Sequence, residues 1–304
     1  MISRHTYKDL VWVDLESPTQ EEVRQIMEEF CLHPIVASEL LEPTLRAKVE
    51  PYEDYVYLIL HFPTILHKHH GETEQEIDFI VGRNFLITTH YELVDPLHEF
   101  SKIFEVNSLL DKSNIGEHAG FLFFYLIRQM YHTVLGELDR IDIKLEEIEA
   151  SIFDKHEVEM VQTISETNRD LLNFKQAIRH HKEVLESFEI AGRKLFGEDF
   201  IYYLRAILGE YYKIAAMLEG HKETLLDLRD TNDSLLTTHT NEIMKFLTIV
   251  AFITFPLALI ASIFGMNTSL PSFVGQENDF WIVMGIMATA TLSMFIFFRY
   301  KHWM

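Results

Sequence analysis

Short runs of β-branched and aromatic residues punctuate the first hundred positions, apolar residues recur at three- and four-residue intervals through the middle, and two uncharged runs follow near the end. LVWVDL (Leu10 to Leu15), YVYLILH (Tyr55 to His61), and the pair IDFIV and FLITTHY hinged at Gly82-Arg83-Asn84 are rich in β-branched and aromatic residues and predict strands. Ser17-Pro18 predicts a helix start, with Ser at the N-cap and Pro in the first turn, running through Phe30. Residues 1–110 are therefore expected to form an α+β unit.

The middle of the chain has a different period. No proline lies between Pro96 and Pro256, which fits long helices, because proline inside one costs about 3 kcal/mol. One helix is predicted from Glu117 to about Phe153, with Leu138, Ile141, Leu145 and Ile148 as an apolar seam. A second is predicted over Val158 to Phe188, closing a helical hairpin over residues 111–198 with a break at Gly192 to Gly197. From about Asp199 to Phe264 a single helix is predicted, its polar part a stalk over residues 199–245, and a helix of that length needs partners along it.

The two uncharged runs are FLTIVAFITFPLALIASIF (246–264) and FWIVMGIMATATLSMFIFF (280–298). Each matches the roughly 20 residues that cross a hydrocarbon core about 30 Å thick, which predicts two transmembrane helices joined by a loop over 265–279. Lys245 precedes the first run and Arg299 and Lys301 follow the second, whereas the loop has no Lys or Arg. That asymmetry predicts that the bulk of the chain and the short tail (299–304) face the cytoplasm. The N-terminus MISRHTYKDLVWVDLE breaks its apolar run with charge and does not read as a cleavable leader.

Charge sharpens the division. The net charge is −21, yet from Asn241 onward three acids (Glu242, Glu277, Asp279) balance three bases (Lys245, Arg299, Lys301), so the excess lies in the first 240 residues. Such a surface repels nucleic acid and attracts cations. A single cysteine, Cys31, excludes a disulfide framework or a thiolate metal cluster within one chain. The histidines of HKHHGE (His67, His69, His70) and the pair His180-His181 have no carboxylate or Cys at a recognised ligand spacing and are expected on solvated surface, as is the acidic run Lys144 to Ala150. No Walker loop and no nucleophile and base constellation is found, so neither ATP use nor enzymatic chemistry is expected.

A long charged helix running into TNEIMKFLTIVAFITFPLALIASIFGMN, a short loop, a second span and an end in RYKHWM resemble the CorA family of divalent-cation channels. That family's signature is Gly-Met-Asn at the outer end of the first of two C-terminal spans, the place of Gly265, Met266 and Asn267. RAKVEPYEDYVYLIL and EIDFIVGRNFLITTHYE look like its cytoplasmic strands, so the resemblance covers essentially the whole chain. It implies a funnel-shaped homopentamer in the cell membrane, first spans lining one pore, and Mg²⁺ as the transported and regulatory ion, with Co²⁺ or Ni²⁺ possible substrates.

The resemblance makes Gly265, Met266 and Asn267 the selectivity filter and places Asn241, Met244, Leu247 and Phe255 along the pore. Mg²⁺ dehydrates reluctantly, so a ring of Asn267 amides would meet the ion through its water, with Gly265 permitting a tight backbone. Met244 and Leu247 would form an apolar neck, gated by divalent ions bound to the acidic cytoplasmic part. Some positions depart from the family pattern: Phe264 for the usual Tyr, Phe255 for Met, a loop without Met-Pro-Glu that leaves Glu277 and Asp279 without an assigned role, and a thin basic tail. The related zinc transporter branch, and a membrane-anchored scaffold whose spans only tether it, are the alternatives. Met266 favours the magnesium side, and Asn241 with Asn267 argues against a simple tether.

Overall fold

The computed structural model describes residues 1–44, 46–63, 74–92, 94–109, 117–266 and 279–301, and of residues 95, 106–109 and 279 the backbone only. Two compact units divide the chain, Met1–Arg229 and Asp230–Met304.

The first unit is built on a six-stranded sheet of β1 (Ile2–Tyr7), β2 (Leu10–Glu16), β3 (Lys48–Pro51), β4 (Tyr55–Pro63), β5 (Glu74–Gly82) and β6 (Phe85–His90), in the order β1-β2-β6-β5-β4-β3. Only β2 and β6 run parallel; the other neighbours are antiparallel. All nine residues of β4 are buried, which is why YVYLILH reads as a continuous apolar run: the sheet is covered on both faces.

Strand alternation sends Tyr55, Tyr57 and Ile59 to one face. There Val13, Leu15, Ile80 and Ile87 pack with Val23 and Ile26 of α1 (Gln20–Glu29) and Val36 and Leu40 around α2 (Pro34–Glu39). The opposite face meets α3 (Asp95–Leu109), α4 (Ala119–Phe153), α5 (Glu157–Ile178) and α6 (His181–Phe196). Trp12 lies edge-on to Phe100 and Phe104 of α3, and Phe79 lies edge-on to Phe123 of α4 at 5.4 Å. The predicted seam Leu138, Ile141, Leu145 and Ile148 of α4 is buried.

Three elements differ from the sequence expectation. The cap of α1 is Thr19, not Ser17: Thr19 and Glu22 form a reciprocal capping box, which satisfies two orphan amides at once. Ser17 sits at φ 40° and donates to the Tyr91 carbonyl at 2.7 Å. The helix expected over Val158 to Phe188 is broken at Arg179 and His180, and α6 begins with His181 and runs through the expected break at Gly192 as far as Phe196, ending at Gly197 with φ 93°. His181 is also not on the surface: it is fully buried, its Nε2 2.7 Å from the His61 carbonyl and its Nδ1 2.8 Å from the Tyr131 hydroxyl. The break lets the imidazole reach β4.

Burial pushes the His181 imidazole down to about 3. The unfolded chain takes up a proton below about 6.5 that the folded chain refuses, so stability present above that pH is lost progressively as pH falls toward 3, by an amount on the order of 5 kcal/mol. Thermal melts of the full-length protein at about pH 7 and pH 4.5 are expected to show a fall that is smaller in His181→Gln, whose amide can still donate to His61 but does not titrate. Equal falls in both proteins would remove His181 as the cause.

After a short 3-10 turn (Glu198–Phe200), α7 runs unbroken from Ile201 to Gly265, 65 residues, with Pro256 inside it. In the first unit its buried stripe is Leu204, Ile207, Ile214, Leu218, Leu225 and Leu228, an amphipathic pattern. Lys175 of α5 pairs with Glu219 at 3.1 Å and Glu189 of α6 with Arg205 at 3.0 Å, tying the same stretch to its neighbours. The second unit contains the rest of α7 and α8 (Asp279–Tyr300).

Candidate functional site

The outer part of α7 and all of α8 are long and apolar enough to cross a membrane. Only 6% and 0% of their most apolar windows are buried, whereas the core helix of a soluble protein would bury most of such a window. Four threonine hydroxyls in these stretches donate back within their own helix. Thr248 donates to the Met244 carbonyl at 2.7 Å, Thr254 to Val250 at 2.9 Å, and Thr289 and Thr291 to Gly285 and Met287 at 2.8 Å. Each unsatisfied polar group would cost several kcal/mol in hydrocarbon, so this back-bonding is what a lipid environment requires of a threonine.

At about 100° per residue, Asn241, Met244, Leu247 and Phe255 fall within about 120° of arc on α7. All four are exposed, Met244 and Leu247 at 59% and Phe255 at 73%. The opposite side is the covered one. Ile249 is buried, and Ile253, Pro256, Leu257, Ile260 and Phe264 are half-buried along the same side. Phe298 of α8 is buried too, its ring 6.4 Å from that of Phe252. From Ile249 onward the helix thus has a packed side and a bare side, with Phe255 on the bare one, whereas from Asn241 to Leu247 every residue is exposed.

Gly265 is the last residue of α7, and the Met266 amide still donates to the Ile263 carbonyl at 3.3 Å. An added Cβ at Gly265 would meet nothing within 4 Å, and the residue does not take a positive φ, so no tight backbone is imposed there within a single chain. Met266 is 55% exposed. Asn267, Glu277 and His67, His69 and His70 lie outside the described residues. Thr237 and Thr240, on the stalk just before the span, donate back to Asp233 and Leu236 at 2.8 Å. Among the described residues, no three of His, Cys, Asp or Glu stand close enough together to hold a metal ion.

Sequence reasoning missed the polar groups buried in the sheet. Trp12 Nε1 donates to Thr88 at 3.0 Å, Thr88 donates to Asp14, and His90 Nε2 lies 3.2 Å from Asp14. His61, Glu76 and Asp78 form a second buried group. Their signal in the sequence is a polar residue at every second position of an otherwise apolar strand, as in EIDFIV.

A sheet covered by helices on both faces, a helix passing from it into an apolar run, and a second apolar helix define an integral membrane protein with a large extramembrane unit. The profile of the CorA-like Mg²⁺ transporter protein family matches residues 7–300, and the chain belongs to that family. A cobalt/magnesium transport protein CorA of Thermotoga maritima is 26% identical over 294 residues, spanning 96% of this chain and 83% of that protein. The complete structure of the CorA magnesium transporter from Methanocaldococcus jannaschii superposes with a TM-score of 0.84 at 20% identity, over 97% of this chain and 92% of that one, a likeness of fold.

Proposed function

We propose that the chain forms a homopentameric channel of the inner, or plasma, membrane that admits Mg²⁺, with Co²⁺ and Ni²⁺ as further substrates. The observation that carries this reading is the bare side of α7. Asn241, Met244, Leu247 and Phe255 share one exposed face of α7, and the helix ends in Gly265 with Met266 and Asn267 next in sequence. Helices this exposed need partners along their length. From Asp233 to Leu247 no residue of α7 is buried, Ile243 and Phe246 included, and copies of the same helix around an axis supply that cover.

In this reading a ring of Asn267 amides holds the hydrated ion at the outer mouth. Below it, Met244 and Leu247 form a neck that dewets when narrow and stops ions. The acidic extramembrane unit lies in the cytoplasm with both termini. Divalent ions bound between neighbouring copies neutralise its repelling carboxylates and favour the closed assembly. Entry is driven by the membrane potential, worth about 2.3 kcal/mol per charge per 100 mV and so about 4.6 kcal/mol for a divalent ion, without ATP. Membrane lipid surrounds the spans, and an acidic surface of this kind has no affinity for nucleic acid.

Competition decides the ion. Purified protein in proteoliposomes is expected to take up Mg²⁺, with Co²⁺ and Ni²⁺ reducing that uptake at concentrations where Zn²⁺ does not. Zn²⁺ uptake in preference to Mg²⁺ would move the chain to the zinc branch, and no uptake of any of the four ions would leave the scaffold reading.

A further inference from the structure

Between α2 and β3 the chain passes over a buried group of ionisable side chains on the α1 and α2 face of the sheet. Thr44 is held there by both of its backbone groups. Its N–H donates to the two carboxylate oxygens of Glu76 at 2.9 and 2.7 Å, and its carbonyl lies 3.0 Å from His61 Nε2, which is also 3.1 Å from Glu76 Oε2. His61 and Glu76 are each 8% exposed. Asp78, two residues along β5 on the same face and 1% exposed, accepts from the Tyr91 hydroxyl at 3.3 Å through Oδ2, while its Oδ1 has no hydrogen-bond partner.

Other charged and titratable groups surround the pair. From α2, Glu39 faces it and pairs with Lys48 of β3 at 2.5 Å, and Lys48 also pairs with Glu50 at 2.9 Å. Tyr57 of β4 is buried with its hydroxyl unpartnered, Tyr91 follows β6, Glu74 heads β5, and α6 contributes His181 with His180 before it. Carboxylates outnumber the two cations in reach, His61 and Lys48.

Two buried carboxylates two residues apart on one face cannot both ionise cheaply. Burial, then the neighbouring Glu76, raises the Asp78 carboxyl well above the ordinary range. Burial opposes the charge on His61, but its hydrogen bonds to Glu76 and to the Thr44 carbonyl outweigh that and raise it above an ordinary histidine. Both groups therefore bind their protons more tightly in the folded chain than in the unfolded one. The stabilisation is full at low pH and is lost as pH rises through the folded values.

We propose that His61, Glu76 and Asp78 form a buried proton-binding site that latches Thr44 onto the sheet, and that loss of its proton as pH rises above the ordinary histidine range releases Thr44. Thr44 is the part able to move. β4 and β5 are paired with each other along nine residues and with a further strand on their outer sides, whereas both backbone groups of Thr44 have their hydrogen bonds inside the cluster. Deprotonation leaves buried negative charge with only Lys48, already paired to Glu39 and Glu50, in reach, and release of Thr44 lets water reach it.

Amide hydrogen exchange on the full-length protein tests this. Between about pH 6.5 and pH 9, the protection factor of the Thr44 amide is expected to fall at least about tenfold after correction for intrinsic exchange, while that of Leu58 in β4 holds. Asp78→Asn, neutral at every pH, should shrink the fall, and Asp78→Asn with His61→Gln should abolish it. A Thr44 protection factor constant across the range, a Leu58 factor falling in step with it, or an undiminished fall in the double variant would each overturn the proposal. The wild-type series decides the matter even where a variant does not fold.

Discussion

Asn267→Ala is expected to lower Mg²⁺ uptake at sub-saturating concentration by about 30-fold or more and to erase the preference for Mg²⁺ over ions that shed water easily. Mg²⁺ keeps several waters, so a filter that recognises it must hydrogen-bond those waters rather than replace them. Side-chain amides suit that task because each offers both an acceptor and donors without a charge that would trap the ion. Hydrogen bonds involving a charged group are worth about 1.5–3 kcal/mol each, and every 1.4 kcal/mol is a factor of ten, so losing even two contacts from a ring reaches that size. Asn267→Gln keeps the amide and moves it by one methylene, and should retain part of the uptake. The measurement is initial-rate flux in proteoliposomes with Mg²⁺ and Co²⁺ compared. Wild-type rate and preference in Asn267→Ala would take the residue out of the mechanism.

A second large effect is expected at the neck. Leu247→Asn should leave the channel unable to close: in high internal Mg²⁺, where the wild type slows, the variant should conduct about tenfold faster or more. An apolar constriction stops ions because water withdraws from it, and placing an amide there in each copy restores favourable hydration, an amide costing about 2–7 kcal/mol to strip of water. Leu247 is 59% exposed on the bare side of α7 in a single chain, so the substitution removes little packing within that chain. If Leu247 instead served only to pack copies together, the variant would lose assembly rather than closure. Native mass spectrometry of the same preparation separates the outcomes: a pentamer that still closes normally would contradict the gate, and a dissociated protein would assign Leu247 to packing.

How far the sequence reveals this structure depends on where each constraint resides. β4 and the two apolar helices are legible because their environments demand runs of apolar residues, and α7 is legible because proline is absent until Pro256. β1 is not, because ISRHTY is an edge strand paired only to β2 and mostly half-exposed, so its composition is free to be polar. α2 is only six residues long, too short for a helical period to show. Ser17-Pro18 and Thr19 are rival caps two residues apart, and the Glu at the third position after Thr19 decided between them. The break at Arg179 and His180 carries neither glycine nor proline; it is set by His181 reaching Tyr131 and the His61 carbonyl, a contact 120 residues away in sequence. For the proposed pathway, the helical face of Asn241, Met244, Leu247 and Phe255 came from family resemblance, and what the fold adds is that this face is exposed and that beyond Leu247 the face opposite to it is the packed one.

The proposed function rests on Mg²⁺ entering passively, down its electrochemical gradient. It is tested most directly in proteoliposomes free of nucleotide, with low internal Mg²⁺ and an inside-negative potential of about 100 mV. About 4.6 kcal/mol for the divalent ion corresponds to an equilibrium gradient on the order of a thousandfold. Internal Mg²⁺ is expected to rise above the external concentration, and the rise to disappear when the potential is collapsed. Internal Mg²⁺ that stays at the level of protein-free vesicles under the same potential would contradict it.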